Sequence, residues 1–336
     1  MFLHYNVPYY YKIGENLKNN PFYQITMNIF DTLIEQINKK QSPICIGLDP
    51  RLKQIPKFLV EKAVKEHGNT PKAVAEAFKD FSIQIIDKTH DLVPAVKPQF
   101  AFWEVYGADG IKALQETIAY AKSKGLIVIA DAKRQDIGST SDAYATSILG
   151  SSPLPDGTST PIFDCDIVTI GPYLGSDSID SFIKVCKEKN KGVFVLVRTS
   201  NPSAKDFQDQ KVITGTNTED LFKIVAEKVI EWGKDSIGEK GFSSVGAVVG
   251  ATYPEEAKEL RKLMPNTFFL VPGYGAQGGG GKDTVPNFNG EGIGAIVNSS
   301  RGIIFAYEEG KEEQFADAAR NATLEMKKDI LEALKI

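Results

Sequence analysis

Short apolar runs alternate with longer segments of helical periodicity along most of this 336-residue chain. Near-continuous Val, Ile and Leu in runs this short is typical of strands that are buried on both faces. The predicted strands are Ile44 to Asp49, Leu92 to Lys97, Leu126 to Asp131, Ile167 to Ile170, Gly192 to Val197, Val245 to Gly250, Thr267 to Val271 and Gly294 to Asn298. Eight strands with helices between them favour a (β/α)8 barrel, and a doubly wound open sheet fits the same alternation.

Segments of helical periodicity connect these runs, and an amphipathic stretch from about Gln24 to Lys40 precedes the first. The other predicted helices are Thr70 to Thr89, Gly110 to Lys124, Ser176 to Lys189, Glu219 to Ile237, Pro254 to Met264 and Gln314 to Leu334. We therefore expect a single barrel domain over residues 24–336, preceded by a tyrosine-rich N-terminal extension over residues 1–23.

Three polar or glycine-rich stretches interrupt the regular alternation. They are Ser151 to Asp164, Ser200 to Thr218 and Gly273 to Glu291. Loops of this length inside a compact domain are usually either lids or disordered. Because all three adjoin predicted strand ends, where a barrel keeps its chemistry, we expect them near the site.

Charge and composition exclude several classes of partner. The 39 basic and 43 acidic side chains leave a net charge of −4, without the basic footprint that nucleic-acid binding requires, so we expect no nucleic-acid partner. No apolar run approaches the roughly eighteen residues of a membrane span, and the first residues do not resemble a secretory signal, which predicts a cytoplasmic protein. Cys45, Cys165 and Cys186 are too widely spaced to indicate a disulfide framework or a zinc site.

The stretch ADAKRQDIGST carries the densest group of ionisable residues. Asp131 and Lys133 are two residues apart at the end of a strand and therefore point to the same face. Asp136 follows in the turn, and Lys97 closes the preceding strand at the equivalent level. If these four charged side chains converge in a buried site, pairing between opposite charges must offset the cost of removing them from water. The alternatives are solvated lysines at strand ends, or a magnesium site between Asp131 and Asp136, against which the ammonium of Lys133 argues.

A glycine-rich stretch follows the seventh strand. It contains GxGxxG at Gly273, Gly275 and Gly278, but more glycines follow where a dinucleotide-binding helix should begin. The remaining interpretations are a flexible surface loop or a backbone that approaches an anion closely, with Gln277 as an amide donor.

Further polar residues follow other strands. Arg301 lies just after the eighth strand, where barrels frequently bind phosphate, and together with Gln277 it predicts a phosphorylated ligand. Asp49 ends the first strand, and Ser200 and Asn201 follow the fifth. Each of these three either caps a turn or contacts the ligand.

With these residues assembled, the chain resembles the orotidine 5′-monophosphate decarboxylases, in the longer, type 2 subgroup found in some bacteria and in malaria parasites. The resemblance runs from about Ile44 to Ala306. It rests on GLDP, the single Lys97, DAKRQDIG, PGYGAQ and the SSRG that contains Arg301. It implies a homodimer that converts orotidine 5′-monophosphate to uridine 5′-monophosphate (UMP) in de novo pyrimidine biosynthesis, without metal or organic cofactor.

The resemblance also assigns roles to residues of this chain. Lys97, Asp131 and Lys133 would act from one subunit, while Asp136 and Thr140 would reach in from its partner. Lys133 would stabilise the developing carbanion and protonate C6 of the base.

The implied substrate contacts are Asp49 with the ribose, Ile137 and Thr140 beside the ligand, Ser200 with the pyrimidine edge, Pro272 beside the base, and Gln277 and Arg301 with the phosphate. Gln99 stands where relatives often carry asparagine. Two other functions remain open: a magnesium-dependent sugar-phosphate decarboxylase or aldolase of the same superfamily, and a non-catalytic nucleotide-binding barrel.

Overall fold

Eight parallel strands close into a barrel in the computed structural model, which describes residues 26–275 and 278–335. Neighbours in the barrel follow one another along the chain, and the last strand pairs with the first. The strands are β1 (Ile44–Leu48), β2 (Ala95–Pro98), β3 (Ile127–Arg134), β4 (Ile167–Ile170), β5 (Gly192–Arg198), β6 (Val245–Val249), β7 (Phe269–Val271) and β8 (Ala295–Ser299). The predicted (β/α)8 barrel is confirmed over the open sheet.

Helices connect the strands and cover the outside of the barrel. They are α1 (Ile29–Lys40), α2 (Lys57–His67), α3 (Pro71–Thr89), α4 (Phe100–Glu104), α5 (Gly107–Ser123), α6 (Gly138–Ile148), α7 (Ser176–Lys189), α8 (Leu221–Gly233), α9 (Pro254–Leu263), α10 (Gly281–Thr284), α11 (Arg301–Ile304) and α12 (Phe315–Leu334). The helix predicted from Glu219 begins later, because Asn217–Asp220 pairs with Lys211–Thr214 as a β-hairpin.

Alternate strand residues build two separate apolar cores. One set, which includes Val96 and Val128, packs outward against the helices, and the other, which includes Ile129 and Phe194, fills the barrel interior. Helix α1 adds Phe30 to this inner core, where its ring lies 5.2 Å from that of Phe194. Among the described residues, apolar packing therefore closes the N-terminal end of the barrel, which leaves the C-terminal end to polar side chains.

Asp31 ties helix α1 to the segment before β6. It is fully buried, and its carboxylate accepts hydrogen bonds from the backbone N–H groups of Asn28 (2.8 Å), Glu239 (2.8 Å) and Lys240 (2.7 Å). We expect Asp31→Ala to lower the free energy of unfolding by about 3 kcal/mol, because it leaves three partly buried N–H donors unpaired. Urea denaturation measures this change. The control is Glu35→Ala on the same helix, which should cost less than about 0.5 kcal/mol, and an equal loss in both variants would contradict the role of Asp31.

The three irregular stretches lie at both ends of the barrel. Ser200 to Thr218 and Gly273 to Glu291 follow β5 and β7 and so lie at the C-terminal end. Ser151 to Asp164 instead joins α6 to β4, where Ser152–Pro153 and Ser159–Thr160 form a small hairpin. The expectation that all three lie near the site is therefore wrong for this stretch, because a connection from a helix to a strand belongs to the N-terminal end.

The described residues contain one closed barrel, and the predicted extension over residues 1–23 lies outside them. Within the described ranges, every helix is too short or too polar to cross a membrane.

Candidate active site

Strand register brings the predicted charged residues to one level of the barrel interior. Lys97 lies opposite Gly47 across the β1–β2 pair, and Asp131 pairs with Gln99 just beyond the end of β2. Both charged side chains are buried, with Lys97 4% and Asp131 7% exposed. The period of two along each strand therefore carries Lys97 and Asp131 inward, as predicted from the sequence.

The Asp131 carboxylate lies between two ammonium groups. Its Oδ2 accepts a hydrogen bond from Lys97 Nζ at 2.5 Å, and its Oδ1 accepts a hydrogen bond from Lys133 Nζ. Thr169 on β4 also donates to Oδ1, at 3.1 Å. This residue was missed by the sequence analysis, although it is the only polar side chain in the apolar run IVTI and faces the interior.

These contacts keep the buried groups charged. Burial alone would raise the pKa of the Asp131 carboxyl, but the charges of Lys97 and Lys133 outweigh it and hold that pKa well below its usual range. Burial would lower the pKa of Lys97, whereas the charges of Asp131 and Asp49 raise it above its usual value. Asp131 and Lys97 therefore remain ionised near neutral pH.

Lys133 adopts an unusual backbone conformation that aims its side chain. Its φ of +47° lies in the left-handed region, and the register of β3 against β4 shifts between Ala130 and Arg134. The Lys133 N–H donates to Thr169 Oγ1 at 3.1 Å, which fixes this conformation. A non-glycine residue in this region costs about 1 kcal/mol or more, and such strained residues are enriched at active sites. The Lys133 side chain is half exposed, so a ligand can reach its ammonium.

Asp136 does not join this cluster within the chain. Its Oδ1 accepts a hydrogen bond from the backbone N–H of Ile137 at 2.8 Å, and no described residue forms a salt bridge with its carboxylate. Ile137 and Thr140 are both exposed at the beginning of α6. The cluster in one chain thus contains three of the four predicted ionisable residues.

The ends of β1 and β8 contribute a second polar group. A side-chain carbon at Gly47 would lie 1.8 Å from Ser300 Oγ and 3.2 Å from Asp49 Oδ1, so glycine is required for this close approach. Asp49 Oδ1 and Asn298 Oδ1 are buried without a hydrogen-bond partner among the described residues. Asn298 and Ser300 were missed by the sequence analysis, although strand alternation from the apolar Ile296 points both of them inward.

The remaining predicted contacts surround the C-terminal end of the barrel. Ser200 packs against the end of β6, where a side-chain carbon at Gly250 would lie 2.9 Å from Ser200 Cβ. The carbonyl of Pro272 accepts a hydrogen bond from Ala251 N–H at 2.9 Å. Arg301 is exposed at the start of α11, and none of the described acidic side chains forms a salt bridge with it. Gln277 lies outside the described residues.

No metal centre can be recognised from the donor side chains of residues 26–275 and 278–335, since no three His, Cys, Asp or Glu residues are grouped to hold an ion. The charged cluster instead alternates cation, anion and cation around Asp131.

Comparison with known proteins identifies the family. The sequence model of the orotidine 5′-phosphate decarboxylase / HUMPS family matches residues 42–314 of this chain. The chain belongs to this family. An orotidine 5′-phosphate decarboxylase of Rhodopirellula baltica is 45% identical over 86% of this chain and 94% of its own length. One from Caldicellulosiruptor bescii is 41% identical over 92% of this chain and 99% of its own length.

Solved structures show the same relationship. The structure of Leishmania donovani OMP decarboxylase has a TM-score of 0.69 to this chain at 31% identity. The alignment covers 92% of this chain and 100% of the Leishmania chain. Membership of the orotidine 5′-phosphate decarboxylase / HUMPS family therefore rests on agreement in both sequence and fold, and the predicted family resemblance is confirmed.

Proposed function

We propose that this protein removes the C6 carboxylate of orotidine 5′-monophosphate to give UMP, a step of de novo pyrimidine biosynthesis, with Lys133 as the proton donor. The observation that carries the proposal is the Asp131 carboxylate held between the ammonium groups of Lys97 and Lys133 at the C-terminal end of the barrel. Membership of the family and the names of the relatives support the substrate.

The chemistry requires a fixed positive charge close to C6. When the bond between C6 and the carboxylate breaks, carbon dioxide leaves and its bonding electron pair stays on C6, in the plane of the ring, where the π system cannot delocalise it. An ammonium placed beforehand beside C6 stabilises this pair without reorganisation. Lys133 then transfers a proton to C6, and its neutral amine regains a proton from solvent.

Asp131 and Lys97 prepare Lys133 for this role. The buried carboxylate of Asp131 bonds to the Lys133 ammonium and orients it, and Lys97 compensates the negative charge from the other side. Because Lys97 and Asp131 are both buried, their mutual attraction is poorly screened by solvent. The half-exposed ammonium of Lys133 is therefore the positive charge of this cluster that a substrate can reach.

A spectrophotometric assay tests the reaction directly. Loss of absorbance of orotidine 5′-monophosphate should be seen with the purified protein and should be unchanged by excess EDTA. Activity that EDTA removes and Mg²⁺ restores would contradict the proposal and favour a magnesium-dependent sugar-phosphate enzyme. Nucleotide binding without turnover would favour a non-catalytic barrel.

Arg301 is proposed as a ligand of the substrate phosphate. An arginine fork matches phosphate oxygens, and the exposed guanidinium lies just after β8. We expect Arg301→Ala to weaken inhibition by UMP about 100-fold, because a charge-assisted bidentate contact is lost. Inhibition by uridine, which has no phosphate, should change little. Equal losses for the two ligands would contradict a phosphate contact, and Arg320→Ala on α12 is the matched control.

A homodimer with shared sites is proposed from the exposed surface around Asp136. Apolar side chains are exposed in loops after three neighbouring strands: Val105 after β2, Ile137 after β3, and Tyr173 and Leu174 after β4. Tyr173 is 81% exposed and Ile137 54%. Large apolar residues exposed on loops after neighbouring strands indicate an interface. Its position beside Asp136 and Thr140 supports their insertion into the site of a second subunit.

A further inference from the structure

We infer that Arg198, a buried arginine at the end of β5, is a positioning residue that sets the place of Ser200 beside the pyrimidine. The inference rests on the proposed function, in which Ser200 faces the edge of the base. Arg198 takes no part in the charge cluster around Asp131, and its side chain is directed instead toward helices α8 and α9.

Three parts of the chain fix the Arg198 guanidinium. It is 1% exposed and forms a salt bridge with Asp209 at 2.5 Å and a forked pair with Glu256 on α9, with one bond of 3.1 Å. Its Cζ also lies 4.2 Å from the ring centre of Tyr253 and 5.1 Å from that of Phe222. A lysine could not reproduce this set, because the forked pair with Glu256 and the additional bond to Asp209 need the several N–H donors of the guanidinium.

Gln208 connects the Arg198 guanidinium to the loop that carries Ser200. Gln208 contacts Arg198 Nη1 at 3.5 Å, and its Oε1 accepts a hydrogen bond from Thr199 N–H at 3.0 Å. Gln208 Nε2 in turn donates to Thr199 Oγ1 at 2.8 Å. The residue immediately before Ser200 is therefore held on both its backbone and its side chain.

The opposite side of the loop rests on β6. The Arg198 carbonyl accepts a hydrogen bond from Gly250 N–H at 2.9 Å, and Ser200 lies against the Cα of Gly250. Ser200 is thus confined between the arginine network and the next strand of the barrel. Loss of the network would free it on one side only, which predicts displacement of Ser200 without opening of the barrel.

Arg261 offers a matched control for the cost of altering a buried arginine. It is 8% exposed, donates to the backbone carbonyls of Met264, Thr267 and Gly294, and lies 3.7 Å from the ring centre of Phe269. These partners belong to connections from helices to strands, at the N-terminal end of the barrel. A lysine at this position weakens packing far from Ser200.

A double-mutant cycle tests the inference. Arg198→Lys should lower kcat/KM for orotidine 5′-monophosphate about tenfold or more, because small displacements of a substrate-positioning group are costly. In the Ser200→Ala background the same change should cost less than about twofold, since the group that it positions is already lost. Arg261→Lys should show no such coupling with Ser200→Ala. Equal losses from Arg198→Lys in both backgrounds, or a loss below twofold in the wild-type background, would overturn the inference.

Amide hydrogen exchange supplies a measurement that does not depend on turnover. The Thr199 N–H bonds to Gln208, so Arg198→Lys should speed its exchange about tenfold, whereas Arg261→Lys should leave it unchanged. Unchanged exchange in Arg198→Lys would overturn the inference even in an active enzyme. If the wild-type protein does not decarboxylate orotidine 5′-monophosphate, the proposed function fails, and the exchange result still decides whether Arg198 holds this loop.

Discussion

Lys133→Ala should abolish turnover of orotidine 5′-monophosphate, with a loss of at least about 10⁴-fold in kcat, because one substitution removes both the cation at C6 and the proton donor. The folded state should survive, since the Lys133 side chain is half exposed and Asp131 keeps its 2.5 Å bond to Lys97. Binding of UMP should persist within about tenfold, because the phosphate and ribose contacts remain. Single-turnover assays and UMP titration measure the two effects separately.

The matched control is Lys184→Ala, which removes an exposed lysine of helix α7 and should leave kcat unchanged. Lys133→Arg is a more demanding comparison. It keeps the positive charge but replaces the compact ammonium with a planar fork that cannot give up a proton readily, so its activity should also be lost. Turnover by Lys133→Ala within tenfold of the wild-type rate would remove Lys133 from its proposed role.

The fold could be predicted because burial of the barrel strands on both faces requires apolar residues at successive positions of the sequence. Runs such as GVFVLV and VGAVVG are apolar on both faces, which is typical of parallel strands covered on both sides, and the number of such runs favoured a closed barrel over an open sheet. The hairpin of Ser152–Pro153 and Ser159–Thr160, which precedes β4, was missed, because these two strands are too short to show any alternation. Their pairing depends on local turns and not on the apolar period.

The charged cluster could be predicted from spacing, but its geometry could not. Residues two apart on a strand share a face, which is sufficient to bring Asp131 and Lys133 together. The left-handed backbone at Lys133 and the register shift of β3 are tertiary effects, since they depend on the hydrogen bond to Thr169 on the next strand. Arg198 carries no local signal either, because its partners Asp209 and Glu256 meet it only in the folded chain.

Mixing two inactive variants shows whether Asp136 acts in the active site of its own subunit or in that of its partner. Lys133→Ala and Asp136→Ala should each be inactive alone. If Asp136 completes the site of the partner, a dimer with one subunit of each kind holds one site with both groups intact. Random exchange of subunits between equal amounts of the two variants makes half of the dimers mixed. Each mixed dimer has one intact site of two, so about a quarter of the wild-type activity should return. If Asp136 serves its own subunit, every site in the mixture lacks one group and no activity returns.

The control for this experiment is a mixture of Lys133→Ala with Asp131→Asn. Asp131 and Lys133 are bonded within one chain, so no arrangement of these two variants contains an intact site. This mixture should stay inactive under the same exchange conditions, whether the subunits are co-expressed or exchanged in mild denaturant. Activity here would show that a variant is itself active, whereas recovery confined to the Asp136→Ala mixture requires that two chains build one site. Failure of that mixture, with exchange verified by a tag on one variant, would refute the shared site and leave the intrachain cluster of Lys97, Asp131 and Lys133 unaffected.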